Sequence, residues 1–299
     1  MNLTIATTLD EALAAVAAGA RPVAGGSDLV VGARQGKAPL PDSVVAIDRV
    51  AALGNIDASA GGVSVGALVT HARLETDAAM VSGYTALADA SALVGSPSTR
   101  NVGTIGGNVM NASPAMDTGA PLVVLGADIE LRTAAASRRV PAGELWTAPG
   151  RTTARSDELC VAIHLPVRPA TSGSAYVRLE YRRAMEIAVV GAAASVAFDG
   201  SGGLSSISVA LTAVAPTILA VSGTDALLGR QVDDALLDEI AALASAQAVP
   251  ISDLRASERY RRHCVGVMAR RAVDAAARRA RGESIAVPVN RSLGIGAAS

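Results

Sequence analysis

The stretch Ser98–Asp117, STRNVGTIGGNVMNASPAMD, poses the question on which the reading of the chain turns. An adjacent glycine pair, Gly106 and Gly107, stands between an Arg-Asn pair and a run of Asn, Ser, Pro and Asp. Glycine lets backbone approach a ligand closely, and consecutive N–H groups in such a turn form a concave nest for anionic oxygens. Thr104, Asn108 and Ser113 add side-chain donors. A second pair lies in Val23–Leu29, VAGGSDL, where Ser27 supplies a further hydroxyl. A diphosphate carries two anionic groups, so two such turns converging on one ligand make physical sense. The alternative is that each pair is only a turn, the usual role of Gly-Gly in a chain with 29 glycines. Neither stretch fits the dinucleotide pattern G-x-G-x-x-G, and no phosphate-loop pattern G-x-x-x-x-G-K-[ST] occurs.

Composition narrows the chemistry. The 299 residues suffice for one large domain or two ordinary ones, and half are hydrophobic, almost none of them aromatic. A net charge of −1 gives no global field for nucleic acid or an anionic membrane. No apolar run has the length of a membrane span, and Asp10 and Glu11 stand where a signal peptide would be basic, so a cytoplasmic protein is expected. Two cysteines, Cys160 and Cys264, cannot hold an iron-sulfur cluster, which takes about four thiolates. The three histidines, His71, His164 and His263, are far apart and show no ligand spacing. Redox chemistry in this chain would therefore need an organic cofactor.

The pattern of the chain is α+β. Thr7 or Thr8 caps an amphipathic N-terminal helix. Short strands are expected at RPVA and VVAID, with a hairpin through NIDASAGGVSVGA that turns at Ser59–Gly62, then a helix capped by Thr70. PLVVLGADIELRT reads as strand broken at Gly126, and ELCVAIHLPV as a further strand. After RPATSGS, which has linker composition, three β-type runs lead to helical pattern beyond Pro216. In the final Arg-rich helix Tyr260, Cys264, Val267 and Met268 form the expected buried stripe. Its arginines are expected on a solvated face laced with ion pairs around Glu258 and Asp274, the alternative being a face turned to a partner subunit. Trp146 and Phe198 are expected in the core.

Four stretches in order, PVAGGSDLVVGAR, VSVGALVTHARLE, STRNVGTIGGNVMNASPAMDTGAPLVVLGADIEL and SDLRASERYRRH, resemble the FAD-binding (medium) subunit of the molybdenum hydroxylases. That group includes the xanthine dehydrogenase, aldehyde oxidase and carbon monoxide dehydrogenase types. The similarity runs from about residue 3 to about residue 281 and is most specific over Arg100–Asp117. It implies a two-lobed FAD-binding domain of the vanillyl-alcohol-oxidase (PCMH) type over residues 1–168, a smaller α+β C-terminal domain with sheet and helices over 169–285, and a tail over 286–299. The implied FAD contacts are Val23, Ala24, Gly25, Gly26, Ser27, Asp28 and Leu29 around the diphosphate, then Thr104, Gly106, Gly107 and Asn108 in the second loop. Ser113 and Asp117 would lie near the adenosine part, and Leu159 would approach from a strand. Arg178 falls where the family often has a flavin-contacting Lys, a change that keeps charge and alters donor geometry. Asp28 is expected to offer its N–H, and Asp117 to accept from hydroxyls.

The resemblance also implies partners. These are a small subunit with two-iron, two-sulfur clusters and a large molybdenum-cofactor subunit, joined as a dimer of heterotrimers, with NAD+, quinone or oxygen as electron acceptor. No residue of this chain would act as acid, base or nucleophile. Ser27 and Asn108 look more like the xanthine, aldehyde or N-heterocycle branches than the carbon monoxide branch, which tends to carry His and Asp there. Two alternatives stand beside this reading. A self-contained FAD-dependent oxidase would need a His or Cys flavin link or a catalytic base, and a scaffold without FAD would show eroded glycine loops.

Overall fold

The computed structural model describes residues 2–36 and 38–295. The first lobe is a small parallel sheet in the order β1 (Asn2–Ile5), β3 (Ser43–Ala46), β2 (Arg21–Val23). Helix α1 (Leu9–Ala17) covers it with Ala12, Leu13 and Val16. Thr8 caps α1 by accepting from the Glu11 N–H, and the Glu11 carboxylate accepts in return from the Thr8 N–H, a reciprocal pair that satisfies two donors no helix can. Helix α2 (Ser27–Arg34) follows the first glycine pair and buries no residue at all.

The second lobe is an antiparallel sheet in the order β4-β5-β10-β6-β7, formed by β4 (Ile56–Ser59), β5 (Gly62–Gly66), β6 (Asp128–Arg132), β7 (Ser137–Pro141) and the central β10 (Leu159–Pro166). The hairpin turns between Ser59 and Gly62 as its sequence pattern requires. Short helices α3 (His71–Leu74), α4 (Ala78–Gly83), α5 (Thr85–Leu93), α6 (Pro97–Val102), α7 (Ile105–Asn111) and α8 (Gly119–Val124) connect and cover these strands. A one-turn helix α9 (Ala142–Leu145) and the ribbon of β8 (Trp146–Ala148) and β9 (Arg151–Thr152) complete the lobe. Trp146 is core, and its indole N–H donates to the Val109 carbonyl at 2.9 Å. Strand β10 ties the lobes together, because Leu159 and Val161 pack into the apolar cluster of the first lobe while Ile163 and Leu165 belong to the second.

The apolar run PLVV forms helix, not strand: α8 spans Gly119–Val124 and β6 starts only at Asp128. A short apolar run bears no periodicity that separates a buried helix from a buried strand. Pro121 fits because a first helical turn needs no N–H donor.

The C-terminal sheet runs β11 (Ser172–Leu179), β12 (Val190–Phe198), β13 (Leu204–Thr212), β14 (Leu219–Ala220). Every residue of β12 is buried, because α11 (Glu258–Ala280), backed by α10 (Asp234–Gln247), covers one face of the sheet while α5 and α8 of the second lobe cover the other. Between Pro216 and α10 the helical structure of the described residues is limited to a 3-10 turn at Thr224–Leu227, followed by Gly229, whose φ of 78° suits only glycine well.

The buried face of α11 differs from the expected stripe. Tyr260 is 43% exposed, and the face in the core carries Arg261, Cys264, Val265, Met268, Ala269, Ala272 and Val273. Small alanines let the helix lie close on the sheet, so the apolar side chains are short and the pattern is diluted. The arginines divide into two kinds. Arg270 and Arg278 pair on the surface, with Asp234 and Asp238 and with Asp274 and Glu283. Arg261 and Arg279 are drawn inward, to Asp253 at 2.7 Å and to the fully buried Asp89 at 2.6 Å. Beyond α11 the chain returns, and the short α12 (Val289–Ser292) seats Val289 and Asn290 in the interior. No helix of the described residues is long and apolar enough to cross a membrane.

Candidate functional site

The two glycine pairs, far apart in sequence, belong to one place. Gly25 rests on the last residue of α6: a Cβ added there would lie 1.8 Å from the Val102 carbonyl oxygen. One added at Gly103 would stand 3.7 Å from the Ser27 hydroxyl oxygen. Gly26, with φ of 66°, turns the chain from β2 into α2. Among the described residues, no hydrogen bond takes up the N–H groups of Gly25, Gly26 and Ser27. Their position at the first turn of a helix adds the positive end of its dipole. Val23 carries the preceding strand and Ala24 packs against the first-lobe core, while Leu29 is half-buried on α2. This loop therefore fits an anionic group by backbone donors and close approach, with no cationic side chain of its own.

The second glycine pair works differently from a nest. It lies in the first turn of α7, capped by Thr104, whose hydroxyl accepts from the Gly107 N–H at 3.2 Å. The N–H groups of Ile105, Gly106 and Asn108 go to the carbonyls of Val69, Ala67 and Thr104. The expectation that TIGGN exposes backbone donors is corrected accordingly: two of these donors hold the segment against the residues that follow β5, and the others are taken by Thr104 within the helix itself. Gly106 is there for packing, since a Cβ would stand 2.6 Å from that of Ala67. What this segment leaves available is side-chain chemistry. The Thr104 hydroxyl proton is uncommitted among the described residues. Asn108 accepts from Thr118 through Oδ1, which leaves its NH2 group outward. Gly107 is exposed beside them.

Past α7 the chain reverses at Ala112, in left-handed conformation, and Ser113 accepts from the Ala115 N–H. Asp117 follows, nearly buried, and accepts from two groups of the C-terminal domain: the Tyr176 hydroxyl at 2.8 Å and the Arg178 guanidinium at 2.8 Å. Arg178 has no exposed surface and is held from its other side by Glu180 at 2.7 Å. Burial opposes its charge, but Asp117, Tyr176 and Glu180 outweigh that and raise its pKa. Burial, and then the Asp117 carboxylate, push the Tyr176 hydroxyl far above its ordinary range, so it keeps its proton and donates. Leu159 lies beneath the first lobe in its apolar cluster.

Sequence reasoning missed four participants. Val102 and Gly103 form the floor on which the first loop rests. Tyr176 on β11 and Glu180 just past its end, two residues either side of Arg178, complete the Asp117 network. Their strand spacing around Arg178 was the available signal. His71 lies under the same junction, with its backbone N–H donating to the Gly103 carbonyl at 3.1 Å and its ring Nδ1 buried without a hydrogen-bond partner among the described residues. Burial, and secondarily Arg100, lower its pKa to about 4, so it is neutral at pH 7. Tyr181 points away, its hydroxyl donating to the Arg255 carbonyl. Among the described residues no group of His, Cys, Asp and Glu could hold a metal ion.

Residues 1–168 match the model of the FAD binding domain in molybdopterin dehydrogenase, and residues 175–276 that of the CO dehydrogenase flavoprotein C-terminal domain. The carbon monoxide dehydrogenase medium chain of Afipia carboxidovorans is 36% identical over 265 residues, which cover 88% of this chain and 90% of that one. The xanthine dehydrogenase FAD-binding subunit of Escherichia coli O157:H7 is 29% identical over 247 residues, 80% of this chain and 83% of that one. The structure of reconstituted CO dehydrogenase from Oligotropha carboxidovorans superposes with a TM-score of 0.88 at 32% identity, covering 93% of this chain and 98% of that one. With both models matched over most of the chain and a relative 36% identical over 88% of it, this chain belongs to the family of FAD-binding medium subunits of the molybdopterin dehydrogenases.

Proposed function

We propose that this chain is the electron-transferring subunit of a molybdenum hydroxylase complex. In this reading it receives electrons from a subunit with two-iron, two-sulfur clusters and delivers them to NAD+, a quinone or oxygen, while a separate molybdenum subunit oxidises the substrate. FAD, when bound, supplies the ability to take up electrons singly and release them in pairs. The residues of this chain bind and orient it. The N–H groups of Gly25, Gly26, Ser27 and Asp28 would take the diphosphate between Val23 and Leu29. Thr104, Asn108 and Ser113 would donate to it from the other side, across Gly106 and Gly107. Asp117 would accept from a hydroxyl of the cofactor, with Arg178 beside it and Leu159 supporting the floor.

The observation that carries this reading is the convergence of the first glycine pair, donors open, on the Val102–Gly103 backbone. Purification from the native host, with flavin, iron and molybdenum analysis, tests it. FAD together with iron and molybdenum on a larger and a smaller co-purifying polypeptide is expected. FAD on this chain alone, with turnover of an organic donor, would replace the proposal with a self-contained oxidase.

A further inference from the structure

Strand β11 is an edge strand, and its outward backbone groups have no neighbouring strand to pair with. An unpaired edge buried inside a protein leaves donors and acceptors that something must satisfy. Here side chains do so. The Ser174 carbonyl accepts from Arg279 and Thr85, and the Tyr176 N–H donates to Asp89. At Arg178 both backbone groups go to one residue: its N–H donates to Asn290 Oδ1 at 3.2 Å, and its carbonyl accepts from Asn290 Nδ2 at 2.9 Å. The Asn290 amide thus stands in for the peptide group of a missing strand. Asn290 is 1% exposed and lies beyond both family matches, in a segment anchored by the Val289 N–H on Asp89 and by the Ile285 and Ala286 carbonyls on Arg279.

We infer that this returning C-terminal segment is a positioning element of the cofactor site, acting through Asn290, then Arg178, then Asp117. Asn290 fixes the backbone from which the Arg178 side chain springs, and Arg178 in turn fixes the Asp117 carboxylate with Tyr176. Glu180 holds the guanidinium from behind, so Arg178 has no alternative orientation that keeps both carboxylates paired. The inference rests on the proposed role of Asp117 toward FAD.

The test titrates FAD into the full-length apoprotein, for the unaltered chain, Asn290→Ala, and Ile240→Ala as a control. Ile240 is a fully buried residue on α10 that has no hydrogen-bonding side chain to offer Asn290, Arg178 or Asp117, so its truncation lowers stability through packing alone. Two hydrogen bonds are lost in Asn290→Ala, so FAD affinity is expected to fall by about 5-fold or more, with an altered visible flavin spectrum. Ile240→Ala at similar melting temperature should bind and absorb as the unaltered chain does. Equal affinity and spectrum for all three overturns the inference, as does equal weakening in both variants. No FAD binding by the unaltered chain would instead overturn the reading of the site itself. Should Asn290→Ala fail to fold, Asn290→Asp, which keeps the acceptor for the Arg178 N–H and loses the donor, carries the same comparison.

Discussion

Replacing Gly25 by alanine tests the junction of the two loops with a single methyl group. The added Cβ would lie 1.8 Å from the Val102 carbonyl oxygen, against a floor of 3.0 Å for real contacts, so the two segments must part by about 1.2 Å. Gly25 is not in a left-handed conformation, so alanine adds no backbone strain and the effect is steric. Where the displacement goes follows from packing. Helix α2 buries no residue, whereas the segment behind Val102 is tied into the second lobe by Gly103, Thr104 and Ile105. The first loop and the start of α2 will therefore move, at a stability cost at or below the usual 1–3 kcal/mol of overpacking, here about 1 kcal/mol. The donors of Gly25, Gly26 and Ser27 move with them. A misplacement of about 1 Å can cost on the order of 100-fold in a geometry-dependent step, or about 2.7 kcal/mol in binding. The apoprotein titrated with FAD, followed by flavin fluorescence, should show an affinity lower by about that factor. Thermal unfolding of the apoprotein should barely change. Unaltered FAD affinity would refute the reasoning, because the close approach would then have no part in the site. A large loss of stability would refute the assignment of α2 as the yielding element.

Three further outcomes are expected. Gly106→Ala, whose Cβ would meet Ala67 within the core, should do the reverse and lower unfolding stability by about 2–3 kcal/mol, measured by urea titration of the apoprotein. The folded-state pKa of His71, about 4 against 6.5 unfolded, means the unfolded chain binds the extra proton between those values. Stability should thus fall as pH drops from 6.5 toward 4, by about 3 kcal/mol in total, and His71→Asn should flatten that slope in urea titrations at pH 7 and pH 4.5. Identical slopes would dismiss the buried neutral imidazole. Arg279→Ala strands the Asp89 carboxylate, fully buried, with only the N–H groups of Tyr176 and Val289, and should cost about 3–5 kcal/mol in the same assay.

Much of the local structure was legible because it depends on neighbours in sequence. Thr8 and Thr70 cap helices, the turn at Ser59–Gly62 closes a hairpin, and β10 reads as a strand, each from a few adjacent residues. The glycine pairs marked two places of close backbone approach, where few other residue types fit. The errors fell where distant partners decide. PLVV is helical since α8 is buried among elements its own pattern does not encode, and the buried face of α11 is set by the sheet it lies on. The Gly106–Gly107 backbone donors looked open in the sequence, yet the Ala67 carbonyl takes one and the Thr104 hydroxyl the other.

The sequence by itself determined which segments were candidates for a cofactor site, because small residues and hydroxyls are local chemical facts. Only the tertiary structure decided how they act. Whether a glycine leaves room for a ligand or for a neighbouring backbone depends on what is folded against it, and the answer differs between Gly25 and Gly106. Likewise Arg178 carries the same charge in any fold, but Asp117, Glu180, Tyr176 and Asn290 reach it from separate parts of the chain. Burial leaves that charge no solvent to turn to, so its orientation is fixed by partners whose approach no local pattern records.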